Sequence, residues 1–305
     1  MTPRRLALSG AAALLARPGL AVTIAPLDLV LPFQRGTIPD RIARSLAEHA
    51  QVPLGRGINL RNRPGTDSVA ATDGTALLLS PIAPLLGPLR QPQRGAIHRL
   101  APLLPIAATP LVVVSGRGGY DSLLHLAMTA RRHPGSVTWG IAGAGSASYL
   151  AMMETEEQVA GQFRTVSLPS PESCIAATIA GRVALTAAPA ALLTEGLRDG
   201  GLTALVVTAP DRLPLLPQVP AAAETQMSGL NVTGVLALFA PRAVSAAILA
   251  PFVAAFGTAR ATPGFAAGLQ SLGSVVAEGD AASVTAIAAR EASRWYGVVE
   301  RFALR

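Results

Sequence analysis

Apolar and polar residues alternate along this chain with two different periods. Short apolar runs are separated by longer stretches in which apolar side chains recur every three or four positions. The short runs predict buried strands and the longer stretches predict amphipathic helices. Their alternation is typical of parallel α/β units. The predicted strands are 27–31, 58–61, 76–79, 111–114, 137–140, 165–166, 183–186, 204–207 and 235–239. The predicted helices are 40–51, 121–132, 146–158, 172–180, 192–198, 220–225, 245–258, 263–272 and 281–302.

Two of these strands, 111–114 and 235–239, have the features of crossings between two lobes. Both are apolar, and each is followed directly by turn residues. A lobe inserted between two such strands gives a clamp with two hinges. We therefore predict one lobe from residues 22–113 plus 236–305 and a second lobe from residues 114–235.

The first 21 residues have the pattern of an export signal. Arg4 and Arg5 precede an apolar run, 6–16, and small residues end the segment at Ala21. The run is far shorter than the roughly 20 residues that span a bilayer. We expect export through the Sec route to the periplasm; the arginine pair leaves twin-arginine export open, and an ordinary N-terminal helix is the alternative for residues 1–21.

Composition argues against several classes of function. The 25 basic residues are all arginine, aromatic residues make up only 4%, and no basic run is interleaved with aromatic side chains, so we do not expect nucleic-acid binding. The single cysteine, Cys174, excludes an intramolecular disulfide and is expected inside a helix. The four histidines are scattered, and carboxylates are few and unpaired, so we expect no metal, no cofactor and no enzymatic activity.

The segment 29–40 is the most informative part of the chain. A predicted strand ends at Pro32, a short loop containing Gly36 follows, and a helix opens near Asp40. Free backbone N–H groups and the helix dipole at such a helix start suit an anion.

A second glycine-rich turn, 139–148, has the same arrangement, with the hydroxyls of Ser146 and Ser148 beside the helix start. Gly143 and Gly145 suggest a dinucleotide fingerprint, but Ser148 occupies the third glycine position and no acid ends a strand about 20 residues on. The Gly-x-Ser-x-Gly elbow of hydrolases is also missing from this turn.

Several short motifs, taken in order, resemble those of a known family. They are Pro-Phe-x-x-Gly at 32–36 followed by Asp40, Asn-Arg-Pro-Gly at 62–65, Asp-Gly at 73–74 before an apolar strand, Ala-Gly-x-Gly-Ser at 142–146, Pro-x-Val-Pro with a following Glu at 217–224, and Trp295 in the final helix. Together they span nearly the whole chain. The chain thus resembles the periplasmic solute receptors of tripartite tricarboxylate transporters, the Bug-type receptors.

The resemblance implies an α/β periplasmic binding protein fold of type II. Two lobes, each a mostly parallel sheet flanked by helices, are joined by two crossover strands, with a small carboxylate or related organic acid in the cleft. The ligand-binding residues it implies are Phe33, Arg35, Gly36, Thr37 and Asp40 on one wall, Gly145, Ser146, Ala147 and Ser148 on the other, and Ser80 between them.

The first loop departs from the family pattern. Thr37 replaces the second glycine, and Arg35 stands where small residues or proline are usual. We hypothesise that Arg35 supplies a charge to an acidic ligand; a solvated side chain on the loop rim is the alternative. Ligand identity does not carry over from the family.

We therefore expect a monomeric receptor that captures an organic acid and passes it to membrane transporter subunits. A sensory receptor of the same fold, acting on a signalling partner, is the first alternative. An exported hydrolase is the second, and it would need a histidine within reach of Ser146 or Ser148.

Overall fold

The computed structural model describes residues 25–64, 76–86, 95–143 and 145–303, with side chains as far as residue 297. The strands are β1 (Leu27–Leu31), β2 (Ile58–Asn62), β3 (Ala76–Pro81), β4 (Leu100–Gly116), β5 (Val137–Ile141), β6 (Phe163–Ser167), β7 (Leu185–Pro189), β8 (Leu202–Val207), β9 (Thr233–Pro241) and β10 (Val275–Val276). The α-helices are α1 (Ile38–Leu54), α2 (Leu123–Arg132), α3 (Ala147–Val159), α4 (Pro171–Ile179), α5 (Ala190–Arg198), α6 (Ala246–Arg260), α7 (Pro263–Ser271) and α8 (Ala281–Ala303). Short 3-10 helices lie at Ala83–Leu86, Ala96–Arg99 and Ala222–Glu224.

Strand β4 belongs to both lobes of this α/β fold. Up to Pro110 it pairs with β9 and β10, and from Leu111 onward it pairs with β7 and β8. The first lobe therefore has the strand order β2-β1-β3-β9-β4-β10, and the second has β8-β4-β7-β5-β6. The predicted crossings, 111–114 and 235–239, lie in β4 and β9 respectively. The lobe boundaries at 113/114 and 235/236 stay a prediction.

The strand directions place the loops after β1 and β5 opposite each other. Strand β1 runs parallel to β3, which is antiparallel to β9, and β9 is antiparallel to β4. Hence β1 runs in the same direction as β4, toward the second lobe. Strand β5 is parallel to β7, and β7 is antiparallel to β4, so β5 runs toward the first lobe. The carboxyl ends of β1 and β5 therefore point at each other across the junction.

The first half of β4 is a strand that the sequence pattern did not predict. Its prolines at 102, 105 and 110 read as strand breakers, because proline donates no ladder hydrogen bond. The pairing with β9 shifts register between Pro102 and Leu104 and again between Pro105 and Ala107. These irregularities accommodate the prolines without ending the strand.

Most other predicted elements are confirmed, with shifted ends. The strand predicted at 183–186 begins two residues later, at Leu185, and the helix predicted at 220–225 is a 3-10 turn at Ala222–Glu224. Cys174 is buried in α4, as predicted. The export signal 1–21, the last residue of the motif at 62–65 and the motif at 73–74 lie outside the described residues. No helix among those described is long and apolar enough to cross a membrane.

Buried apolar side chains form clusters within and between the lobes. One cluster fills the space between the first-lobe sheet and α1, α6 and α7, with Leu46, Phe256 and Phe265 at its centre. Another joins both lobes, and it includes Leu78 of β3 and Trp139 of β5. Helix α8 contributes Val284, Ala288 and Trp295 to this shared cluster.

Polar contacts also connect helix α8 to the second lobe. Arg294 Nε lies 3.5 Å from Glu154 Oε1 on α3, and Arg294 donates a hydrogen bond to the carbonyl of Asn231. Glu154 in turn accepts a hydrogen bond from the backbone N–H of Asn231. The C-terminal helix therefore bridges the two lobes beside the crossing strands.

Candidate functional site

The loop 32–37 between β1 and α1, hereafter the first loop, is held in place by Asp40. The two carboxylate oxygens of Asp40 accept four hydrogen bonds: one from the backbone N–H of Gly36 (2.8 Å), two from Arg44 (2.9 and 3.0 Å) and one from Asn62 Nδ2 (2.8 Å). Asn62 Nδ2 also donates to the carbonyl of Phe33 (3.1 Å), which fixes the start of the loop. The loop is thus fastened to α1 and to the end of β2.

Asp40 is ionised in this environment despite its burial. Its side chain is only 1% exposed, and this burial raises the pKa of the carboxyl. Hydrogen bonds from Arg44, Gly36 and Asn62 act against burial and are together stronger, so the net pKa lies below its ordinary value. The charge of Asp40 is compensated by Arg44.

The rest of the first loop leaves backbone donors open. Thr37 caps α1 with extended backbone, and its hydroxyl donates to the carbonyl of Gln34 (2.8 Å). Among the described residues, none accepts a hydrogen bond from the backbone N–H of Thr37 or Ile38. Phe33 is half-buried and Arg35 is exposed. The start of α1 therefore presents unpaired N–H groups, and the loop before it carries an exposed arginine.

The loop 142–148 between β5 and α3, hereafter the second loop, uses its serine hydroxyls to fix its own shape. Ser146 Oγ donates to the carbonyl of Gly143 (2.7 Å), lies 2.9 Å from Ser148 Oγ, and accepts from the backbone N–H of Tyr149. Ser148 Oγ also accepts from the backbone N–H of Ala142. Gly143 adopts a φ of 92°, in the left-handed region that glycine tolerates best.

This internal bonding leaves the second loop with open donors of its own. No described residue accepts a hydrogen bond from the backbone N–H of Gly145, Ala147 or Ser148. Gly145 and Ala147 are exposed at the start of α3, a helix of 13 residues. In both loops, therefore, the hydroxyls bond within the loop and main-chain N–H groups stay open at a helix start, an arrangement that favours an anion.

Ser80 lies at the carboxyl end of β3, between the two loops in the strand order. It is fully buried, and its hydroxyl donates to the carbonyl of Pro81 (2.9 Å). Its role in ligand binding stays a prediction.

Sequence reasoning missed the part that Arg44 and Asn62 play. The Asn-Arg-Pro-Gly motif at 62–65 contributes to the family resemblance without assigning a role to Asn62, yet Asn62 links β2 to the first loop. The spacing of Asp40 and Arg44, one helical turn apart, was the available signal for their ion pair. Glu224, the acid of the motif at 217–224, has a structural role, because it accepts hydrogen bonds from Arg212 and from the backbone N–H of Ala221.

The hydroxyls of the second loop do not form a nucleophile and base pair with a histidine. Their described hydrogen-bond partners are backbone groups and each other. Within the described part of the chain, no group of three or more histidine, cysteine and acidic side chains is placed to hold a metal ion.

Two cavities lie apart from both loops. One of about 580 Å³ is enclosed by α8 and the first-lobe sheet, with Val284 and Phe239 in its lining. The other, of about 380 Å³, lies beside the crossing strands and is lined by Pro110, Thr233 and Glu291 among others. Neither cavity is lined by a residue of the first or second loop.

This chain is similar to several characterised proteins along most of its length. It is 26% identical to BugT of Bordetella pertussis over 300 residues, which is 90% of this chain and 88% of BugT. The structure of MatC from Rhodopseudomonas palustris with bound malate matches with a TM-score of 0.69 at 24% identity, over 90% of this chain and 98% of MatC. An R. palustris protein with adipate matches with a TM-score of 0.71 at 22% identity, over 90% of this chain and 96% of that protein. These two structural matches show the same fold.

The family comparison agrees with the two-lobed architecture, and its match covers the second loop but begins after the first. The model of the tripartite tricarboxylate transporter family receptor matches residues 42–304. This match spans most of the chain, so the protein belongs to the tripartite tricarboxylate transporter receptor family, a family of periplasmic solute-binding proteins.

Proposed function

We propose that this protein captures a small carboxylate between its two lobes and delivers it to the membrane subunits of a tripartite tricarboxylate transporter. The observation that carries the proposal is the pair of opposed helix starts with open N–H groups. Thr37 and Ile38 provide these groups on the first lobe, and Gly145, Ala147 and Ser148 provide them on the second.

The two sheets end close to each other along β4. The register places Pro81, at the end of β3, level with Leu236 of β9 and Ala107 of β4, whereas Pro189, at the end of β7, is level with Leu111. Four residues of β4 separate these levels, which corresponds to about 13 Å along an extended strand. The junction between the lobes is therefore short at the ends of β3 and β7.

Within this proposal the predicted site residues have two kinds of role. Asp40 and the backbone of Gly36 position the first loop, and Ser146 and the hydroxyl of Ser148 position the second. The ligand oxygens are bound by main-chain N–H groups, and Phe33 covers the carbon skeleton. The structures of similar proteins with malate and with adipate support a carboxylate as the ligand class.

Closure of the lobes couples binding to delivery. A ligand held by both loops is bound more tightly when the lobes approach, and it therefore shifts the population toward the closed form. The transporter subunits then distinguish the closed, loaded receptor from the open one.

The ligand class is tested by thermal unfolding of the purified protein against mono-, di- and tricarboxylates, with sugars and divalent cations as comparison sets. A carboxylate that binds the native state raises Tm with concentration, following mass action. Stabilisation by a sugar or a cation, with no response to any acid, would contradict the proposal.

The main-chain donors are tested by Ala147→Pro. Ala147 is the first residue of α3, where proline fits the helix and removes only one N–H group. Ser146 before it has φ −86° and ψ 153°, the extended backbone that a following proline requires. We expect an unchanged Tm without ligand and a loss of carboxylate affinity of about tenfold or more, since a hydrogen bond to a charged group is lost.

Ala246→Pro is the matched control. Ala246 is the first residue of α6, is exposed like Ala147, and follows Ser245 with φ −69° and ψ 150°. The control is expected to bind like the unaltered protein. Equal affinity of the Ala147→Pro variant and this control would show that the N–H of Ala147 does not contact the ligand.

A further inference from the structure

We propose that Arg35 selects ligands with two anionic groups, so that dicarboxylates bind in preference to monocarboxylates of the same length. This inference rests on the proposed function and assigns one residue to the discrimination within it. It is carried by the fixed backbone around Arg35 and by the charge balance of the two loops.

The backbone on both sides of Arg35 is fixed. The N–H of Gly36 donates to Asp40, and the carbonyl of Gln34 accepts from the hydroxyl of Thr37. Gly36 adopts a φ of 87°, which a residue with a side chain rarely accepts, so it defines the bend directly after Arg35. The guanidinium is therefore carried on a turn of defined shape instead of a loose loop.

The charge of Arg35 is not compensated within the described residues. Asp40, the acid nearest in sequence, already accepts four hydrogen bonds, two of them from Arg44. Arg35 is exposed and forms no ion pair with any described residue. Because Asp40 and Arg44 cancel each other, the first loop carries one net positive charge.

The opposing second loop adds no negative charge to the cleft. Residues 145–148 have no ionisable side chain, and the first acid of α3, Glu154, is engaged with Arg294 and Asn231. A ligand held between the loops thus meets open N–H groups from both lobes and the exposed guanidinium of Arg35 on the first. The N–H groups suit one carboxylate, and the guanidinium suits a second, because its planar donors match both oxygens of a carboxylate.

The test compares paired ligands that differ only in one terminal group: succinate against butyrate and adipate against hexanoate. Calorimetric titration gives the affinity ratio within each pair for the unaltered protein and for Arg35→Gln. We expect the dicarboxylate preference of the better-bound pair to fall about tenfold in Arg35→Gln, while the affinity for the monocarboxylate stays the same, because only the second carboxylate loses a charged hydrogen bond. Arg35→Lys keeps the charge but loses the planar pair of donors. Its dicarboxylate preference should therefore lie between that of the unaltered protein and that of Arg35→Gln.

Arg182→Gln is the matched control. Arg182 is also exposed and also adjoins a glycine with positive φ, but it lies before the amino end of β7, on the side of the second lobe that faces away from the first. The Arg182→Gln substitution removes the same unit charge, and we expect it to leave the affinity ratio of both ligand pairs unchanged. An unchanged ratio in Arg35→Gln, or an equal loss for both members of a pair, would overturn this inference and leave carboxylate capture intact. If the unaltered protein binds no acid in either pair or in the wider carboxylate set, the proposed function fails and this inference fails with it.

Discussion

Asp40 shows how a single buried carboxylate can fix the shape of a loop, since it joins the first loop to α1 and to the end of β2. The family resemblance placed it on the wall of the cleft, and its sequence position after a glycine loop is consistent with that. Its partners, however, depend on the end of β2 reaching the first loop, and Asn62 is 22 residues away along the chain. Such a contact cannot be predicted from local spacing, whereas the Arg44 contact, one turn away, could have been.

Replacement of Asp40 by Asn is expected to lower the free energy of unfolding at pH 7 by about 1–3 kcal/mol, since charged hydrogen bonds are lost in a buried place. The folded-state pKa of Asp40 lies below its ordinary value of 3.8. Its stabilising contribution is therefore complete above that value and is lost as the pH falls through the lowered folded-state pKa. The difference between the two proteins should shrink below about pH 4, as measured by urea unfolding at several pH values.

Asp199→Asn provides the comparison for this prediction. Asp199 pairs with Arg198 at 3.0 Å, but both side chains are more than half exposed. An exposed pair contributes little, so a change within about 0.5 kcal/mol is expected. Similar losses in both variants would mean that burial of Asp40 is unimportant.

Helices and strands differ in how far the sequence predicts them. The helical period predicted α6 as 245–258, close to the observed Ala246–Arg260, although Pro251 lies inside it. The same residue type concealed the first half of β4, because three prolines there outweighed the apolar pattern. A helix continues through an exposed proline when its apolar face is buried, and Leu249, Ala255 and Phe256 are buried on that face. A strand with prolines is retained only through bulges in its pairing, and these depend on the partner β9.

Pro251 in α6 should reduce stability in its present position. It is exposed, lacks the N–H that would bond to the carbonyl of Ala247, and crowds that carbonyl. Pro251→Ala is expected to raise stability by about 1–2 kcal/mol, less than the full proline penalty because the unfolded chain gains freedom. The change would be measured as an increase in Tm.

Pro263→Ala tests the same substitution where no gain is expected. Pro263 is exposed at the first residue of α7, where the N–H would have no partner within the helix. A Tm that stays level or falls slightly is the expected result. If both variants gained equally, the position within the helix would not explain the effect.

The arrangement of the two lobes follows from pairings that extend across the whole molecule. The sequence indicated α/β units and two crossing strands, but it did not indicate that β4 pairs with four different strands. Neither did it indicate that α8 would reach the second lobe. Thr208 is buried where these parts meet, and it accepts a hydrogen bond from the backbone N–H of Leu111 and donates to the carbonyl of Val232. Packing at the junction therefore involves residues from three separate stretches of the chain.

Glu291 of α8 lies at this junction, in the cavity of about 380 Å³ beside the crossing strands. Asp211 and Arg212 face the same cavity from the second lobe, and Arg290 and Arg294 face it from α8. Burial raises the pKa of Glu291 from 4.5 to about 7, and the two arginines of α8 only partly oppose this effect. The carboxyl is thus protonated in the folded protein over a pH range in which it is ionised in the unfolded chain.

The sign of the resulting pH dependence is opposite to that of Asp40. Between the ordinary pKa of 4.5 and about 7, the folded state binds more protons at Glu291 than the unfolded state does, so this residue lowers stability as the pH rises through that range.

The substitution Glu291→Gln removes the free-energy cost of ionising this carboxyl in the folded protein. It should raise the free energy of unfolding at pH 8 by about 1–3 kcal/mol and change it little at pH 4. Chemical unfolding at pH 4, 6 and 8 would measure this change in the free energy of unfolding. The control is Glu195→Gln, which removes an exposed carboxyl on α5 and should change the free energy of unfolding equally little at all three pH values. A gain that is the same at pH 4 and pH 8 would indicate a packing effect instead, and a loss at pH 8 would mean that ionised Glu291 stabilises the junction through Arg290 and Arg294.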